Sequence, residues 1–144
     1  MRLLKSAVRR RPLAVRVFVS HSRDGELARQ ICIGIEGAGA EWFLDEAQME
    51  AGDLFERRIL DALRSCTEHV ILLSPRSVQR PYVWMEIGAA WVLNRRIVGV
   101  LNGISVPDLR AIDGMPALIL SLNLIDLRDV NQFFEQLRRR VSEA

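Results

Sequence analysis

A doubly wound α/β fold, in which helices cover both faces of one parallel sheet, is predicted by two features of the sequence. Short apolar runs rich in β-branched residues alternate with segments in which apolar residues recur at helical spacing. Two of the runs, residues 70–73 and 96–101, are apolar with almost no interruption, which is typical of strands buried on both faces. Five strand–helix units in succession therefore favour a parallel sheet with right-handed crossovers.

The predicted elements follow one another from residue 14 to residue 141. We predict strands over 14–19, 41–44, 70–73, 96–101 and 120–125, and helices over 26–36, 54–64, 81–93 and 129–141. Gly37 and Gly39 end the first long helix, and Pro81 fits the first turn of the third. Residues 102–118 are rich in Gly and Pro, so we expect loops there around at most one short helix near 107–112.

Composition indicates one ordinary domain. The chain has 144 residues, 49% of them hydrophobic, and a formal net charge of +2. Its basic runs, residues 9–11 and 138–140, lie near the chain ends and are expected to be solvated, so we predict no nucleic-acid interface. We divide the chain into a basic tail or linker over residues 1–13 and a domain over residues 14–144.

The cysteines and the apolar runs indicate the compartment. Cys32 and Cys66 are isolated, without metal-ligand spacing, and are expected to be small core residues in a reducing environment. No run approaches the roughly 18 apolar residues of a membrane span. We therefore expect a cytoplasmic protein with no metal site and no membrane contact.

Glu86 is the one carboxylate in the predicted helix that begins at Pro81. At 3.6 residues per turn it falls beside Tyr82, Ala89 and Ala90, on or next to an apolar face. A carboxylate in that place must be paired, hydrogen-bonded or held in a wet cleft, because burial without a partner is costly. Spacing alone leaves two interpretations open: a functional acid, or an acid that complements the helix dipole.

The predicted topology places this helix at a ligand-binding crevice. In the flavodoxin-like strand order 2-1-3-4-5, the winding reverses between the first and third strands, and a crevice opens beyond their carboxyl ends. The polar residues 20–24 follow the first strand, and the segment from Ser74 to Glu86 follows the third. We therefore expect these two segments to meet.

Several short motifs resemble the successive boxes of the Toll/interleukin-1 receptor (TIR) domain family. They are VFVSHS at 17–22, WFLD at 42–45, EAGD at 50–53, and LLSP at 72–75 followed by Tyr82 and Glu86. Each motif is weak alone, but their order and spacing together cover nearly the whole chain. A receiver-type phosphorylation switch shares the fold, yet it needs an acidic cluster after the first strand and a phosphoacceptor Asp after the third, where this chain has Ser20 and Ser74.

The resemblance implies one of two functions. Many TIR domains cleave NAD at the nicotinamide–ribose bond, and others only assemble signalling complexes, often in immune or anti-phage defence. The enzymatic branch carries a glutamate four residues beyond an aromatic, here Glu86 after Tyr82. One acid is chemically sufficient, because nicotinamide leaves as a neutral molecule and only the positive charge on the ribose needs stabilising. NAD would then be a substrate, with no cofactor. A nucleoside deoxyribosyltransferase-like enzyme is a minor alternative.

The resemblance also implies a pocket and an interface. The expected substrate-binding residues are Ser20, His21, Ser22, Arg23, Asp45, Gly52, Leu54, Ser74 and Tyr82. Residues 45–53 correspond to the BB loop, which in the family contacts other TIR domains, so activity is expected to depend on assembly through this loop and the helices. Trp42 is expected in the core, while Trp84 and Trp91 fit a buried or an interface position equally well.

Overall fold

The computed structural model describes residues 3–5, 15–20, 25–45, 57–115 and 117–144. Within these ranges only the backbone is described for Leu3, Lys5, Asp45, Arg57, Arg58 and Tyr82. The strands are β1 (Leu3–Lys5), β2 (Arg16–Ser20), β3 (Glu41–Asp45), β4 (Glu68–Leu73), β5 (Arg96–Leu101) and β6 (Asn123–Asp126). The helices are α1 (Gly25–Gly37), α2 (Arg57–Ser65), α3 (Pro81–Val92), α4 (Val106–Ala111), α5 (Ala117–Leu120) and α6 (Val130–Glu143).

One sheet joins all of the described strands, in the order β1-β3-β2-β4-β5-β6. The pairs from β3 across to β6 are parallel, which confirms the predicted doubly wound order 2-1-3-4-5 for β2 to β6. β1 adds an antiparallel edge strand that the sequence did not predict, with Leu3 opposite Asp45. Leu3–Lys5 thus belongs to the sheet, although residues 1–13 were assigned to a tail; the boundary of that tail stays a prediction.

Helices cover both faces of the sheet, because successive strand side chains alternate between two apolar layers. On one face, α1 and α6 pack through Ile31, Ile35, Phe133 and Leu137 against the strand residues that include Val19. On the other face, α2 packs against Phe18, and α3 to α5 cover β4, β5 and β6. This second face carries the polar groups described below.

The region between β5 and β6 differs from its prediction. It holds two short helices, α4 and α5, where we expected at most one. α4 begins with a capping box in which the Ser105 and Asp108 side chains each accept from the other's backbone N–H. α5 buries Ile119 in the layer beneath α3, so β6 begins at Asn123 and not at residue 120. Short apolar runs of this kind fit a helix or a strand equally well by periodicity.

The ends of α3 are defined by local chemistry. Arg80 is extended ahead of Pro81, as the residue before a proline usually is, and Pro81 occupies the first turn as predicted. At the other end Asn94 has a φ of 57°, and its N–H and that of Arg95 return to the carbonyls of Trp91 and Ala90. This Schellman arrangement satisfies two carbonyls that the helix end leaves open.

Candidate functional site

The candidate site lies where β2 and α3 meet. Ser20 is the last residue of β2, and its hydroxyl donates a 2.7 Å hydrogen bond to Oε2 of Glu86 on α3. Both residues are fully buried. The two segments that the sequence predicted to meet, after the first and third strands, are therefore joined by this hydrogen bond at the reversal point of the sheet.

Periodicity explains why Glu86 points inward. Among the described side chains of α3, the buried ones are Val83, Glu86, Ile87 and Ala90, whose helical spacing forms the face that packs on the sheet. The sequence predicted Glu86 on or beside this face, and the structure confirms it. A charge placed there needs polar partners, and the Ser20 hydroxyl is one of them.

His69 is a third member of the site, which the sequence analysis missed. Its Nε2 lies 2.6 Å from Oγ of Ser20, and its ring packs edge-on against Phe18 at a centroid distance of 5.5 Å. Strand alternation places His69 on this face, because Val70 and Leu72 of β4 face α1 and α6 while Ile71 and Leu73 face the opposite layer.

Burial fixes the charge of His69. Loss of solvation lowers the pKa of its imidazole to about 3, so the ring is neutral at physiological pH. Ser20, His69 and Glu86 therefore form a buried chain of hydrogen bonds, in which a neutral imidazole and one hydroxyl lead to a carboxylate. Neither of these two groups brings a positive charge to Glu86.

The loop after β4 is held by its own serines. The backbone N–H of Ser74 donates to Oγ of Ser77, the N–H of Ser77 donates to Oγ of Ser74, and the Ser77 hydroxyl donates to the carbonyl of Leu72. These bonds shape the 3-10 turn Ser77–Gln79 that leads into α3. They fix the direction in which α3 departs from the sheet, and with it the position of Glu86.

The amino-acid sequence of this chain matches a family model over most of its length. The model, described as a TIR domain, matches residues 17–141. The chain belongs to the TIR domain family. The match runs from β2 into α6 and agrees with the observed doubly wound sheet.

Three similar proteins place this TIR domain among its relatives. The protein named "Probable 2' cyclic ADP-D-ribose synthase BdTIR", from Brachypodium distachyon, is 28% identical over 125 residues, which are 85% of this chain and 54% of the relative. The chain thus spans about half the length of that relative. Two solved structures share the fold at low identity.

The first of these structures is a metazoan TIR-STING receptor from C. gigas in complex with 2',3'-cGAMP. Its TM-score is 0.63 at 24% identity, covering 94% of this chain and 41% of that one. The second is the TIR domain of the Toll-related receptor TRR-2 from Hydra magnipapillata. Its TM-score is 0.62 at 17% identity, covering 88% and 97%. Identities this low show the shared fold alone.

The structure describes only some of the other predicted site residues. Asp45 ends β3 in register with Ser20, and Tyr82 lies in the first turn of α3, one turn before Glu86. Ser74 is half-buried and engaged with Ser77. The expected pocket residues His21, Ser22, Arg23, Gly52 and Leu54 lie outside the described residues. Substrate binding by all of these residues stays a prediction.

Some further predictions concern groups away from the site. Trp42 is partly buried and packs against the main core, as expected, and Cys32 and Cys66 are buried free thiols. The 138–140 run was expected to be solvated, but Arg140 is paired with buried Glu68. Among the described residues, no group of three or more His, Cys, Asp or Glu could hold a metal, and no helix could cross a membrane.

Proposed function

We propose that this TIR domain cleaves NAD at the nicotinamide–ribose bond, with Glu86 as the catalytic residue. The observation that carries the proposal is the buried Glu86 carboxylate, placed beyond β4 at the switch point and held by the last residue of β2. The name of the Brachypodium relative, a cyclic ADP-ribose synthase, supports the same substrate. We further propose that the reaction serves an immune or anti-phage response.

The chemistry requires little from the protein. As the bond breaks, its electron pair goes to the nicotinamide nitrogen, which becomes neutral, and positive charge grows on the ribose carbon. The Glu86 carboxylate stabilises that charge and accepts hydrogen bonds from ribose hydroxyls. Water then adds to the ribose carbon and releases a proton to give ADP-ribose, or another nucleophilic group of the same ADP-ribosyl moiety adds to that carbon, releases a proton and closes a cyclic form.

Burial of Glu86 adds a condition to the proposal. The residue is fully buried, and a carboxylate can stabilise the ribose only in contact with it. The site must therefore open or rearrange when NAD binds or when protomers assemble. We propose that assembly through residues 45–53 and the helices supplies this change, so that specific activity rises with protein concentration.

The test compares purified wild type with Glu86→Gln, incubated with NAD and analysed by chromatography for nicotinamide. A carboxylate about 4 Å from the developing cation contributes on the order of 4 kcal/mol at an effective dielectric of about 20, so Glu86→Gln should lower kcat by roughly 10³-fold. Glu135→Gln, which removes an exposed carboxylate of α6, is the matched control and should retain activity. Equal nicotinamide release by Glu86→Gln and wild type would contradict the proposal.

A nucleoside panel separates the minor alternative. Deoxycytidine, thymidine and their monophosphates are incubated in parallel with NAD at equal concentrations. Release of free base from nucleosides without release of nicotinamide would favour the deoxyribosyltransferase-like activity. Concentration series for each substrate show whether any turnover depends on assembly.

A non-catalytic adaptor is a second candidate, favoured by the outward face of α3. Met85, Trp91 and Val92 are 47%, 61% and 75% exposed, and they lie on the side of the helix opposite Glu86. Clustered exposed apolar residues are typical of protein-binding surfaces. An adaptor should lose partner binding on Val92→Asp but not on Glu86→Gln. Ile33→Asp, at an exposed apolar residue of α1, is the control for the added charge.

A further inference from the structure

His69 is a buried histidine with no part in the chemistry proposed above. It is 1% exposed, and burial has removed its solvation without supplying an ionic partner that would keep it protonated. A smaller apolar residue would fill the same layer without the cost of burying a polar ring. Its contact with Ser20, at 2.6 Å, is what distinguishes it from a packing residue.

The hydroxyl of Ser20 has one proton, and its direction fixes the tautomer of the imidazole. Since that proton is donated to Glu86 Oε2, the oxygen of Ser20 can only accept from His69. Nε2 must then carry a hydrogen and Nδ1 must be unprotonated. Nδ1 has no hydrogen-bond partner among the described residues, which is tolerable for a lone pair and costly for a buried N–H.

We propose that His69 is a positioning residue for Glu86: its Nε2–H holds the Ser20 hydroxyl so that its proton points at the Glu86 carboxylate. Without this donor the hydroxyl can rotate, and Glu86 loses a fixed partner. A lysine or arginine could also orient Ser20, but its charge would offset that of the carboxylate. The neutral imidazole orients Ser20 without adding a positive charge next to Glu86. The effect on turnover rests on the proposed function.

The activity test uses two variants of His69 that differ in the donor. His69→Phe keeps an aromatic ring and removes the N–H, and His69→Gln places an amide N–H close to the position of Nε2. We expect His69→Phe to lower kcat by roughly 10- to 100-fold with KM nearly unchanged, because misplacing a catalytic group affects the transition state most. His69→Gln should recover most of the loss.

Two controls separate positioning from a general loss of stability. Ile59→Val on α2 loosens the cluster that contains Phe18 and changes no member of the hydrogen-bonded chain of Ser20, His69 and Glu86, so it should lower stability and leave kcat unchanged. In a Ser20→Ala background, His69→Phe should have little further effect on kcat, because His69 acts through Ser20. Additive losses in the double variant, or equal losses from His69→Phe and His69→Gln, would overturn the inference.

A spectroscopic measurement tests the geometry without any activity. The chain contains two histidines, His21 and His69, so 15N spectra of histidine-labelled protein have few signals to assign. We expect the His69 ring to be protonated at Nε2 and unprotonated at Nδ1 at neutral pH. The opposite tautomer would refute the inference even in an active enzyme. If the expected tautomer is found and wild type releases no nicotinamide, the positioning geometry stands and the proposed function fails.

Discussion

The ion pair between Glu68 and Arg140 allows the energetics of the fold to be tested directly. Arg140 of α6 contacts both carboxylate oxygens of Glu68, the first residue of β4, at 2.8 and 2.9 Å. The Glu68 side chain is 5% exposed. Removing Arg140 therefore leaves a buried carboxylate without this partner.

We expect Arg140→Met to destabilise the domain by about 3 kcal/mol. Breaking a buried ion pair costs roughly 3–5 kcal/mol, and the lower end of this range applies because Arg140 is partly exposed. The variant also loses the cation–π contact of the guanidinium, which lies 6.0 Å from the centroid of the Phe133 ring and contributes a small part of the total. At an m-value of about 2 kcal/mol/M, the urea midpoint should fall by roughly 1.5 M with m unchanged. Circular dichroism during urea titration measures both quantities.

Two comparison variants decide whether the pair is the cause. Arg138→Met removes an arginine of the same helix whose pair with Glu135 is more than half exposed, so it should cost less than about 0.5 kcal/mol. The double variant Glu68→Leu/Arg140→Met replaces the whole pair by apolar groups and should lie within about 1.5 kcal/mol of wild type. A double variant at least as unstable as Arg140→Met would refute the reasoning.

Three further predictions concern other parts of the fold. Gly34→Ala should destabilise by roughly 1–2 kcal/mol in urea titrations, because the new Cβ overlaps the Phe134 ring, yet it should stabilise a Phe134→Ala background by about 0.5–1 kcal/mol through helix propensity. Ser105→Ala should cost about 1 kcal/mol in the same assay, because it removes the capping box with Asp108. Below pH 6.5, the usual pKa of histidine, the unfolded chain binds a proton at His69 and the folded chain does not. The free energy of unfolding should therefore fall by about 1.5 kcal/mol between pH 6.5 and pH 5, and His69→Phe should abolish this part of the pH dependence.

The sheet and the position of Glu86 could be predicted because both depend on local patterns. The largely apolar strand β5 has the predicted bounds, Arg96–Leu101. Helical periodicity placed Glu86 beside the apolar face of α3, and Pro81 marked the start of that helix. The strand order needed only the alternation of strands and helices and the rule on crossover handedness.

The features that were missed depend on residues distant in sequence. His69 lies 49 positions from Ser20, and only the register of two parallel strands brings their side chains together. A signal was present in the spacing of His69, Ile71 and Leu73 at every second residue, but the predicted strand began at residue 70. Arg140 was expected to be solvated as part of a basic run. Its partner Glu68 lies 72 positions away in the sequence, so no local pattern indicates the pair.

The antiparallel pairing of β1 has a practical consequence for protein engineering. Leu3 lies opposite Asp45, at the carboxyl end of β3, so β1 begins at the end of the sheet that carries Ser20, and a fusion joined directly to Leu3 would lie at that end. The last helix ends on the other side, since Arg140 contacts the first residue of β4. Affinity tags and fluorescent reporters for assembly measurements therefore belong after Ala144, towards the end of the sheet opposite Ser20.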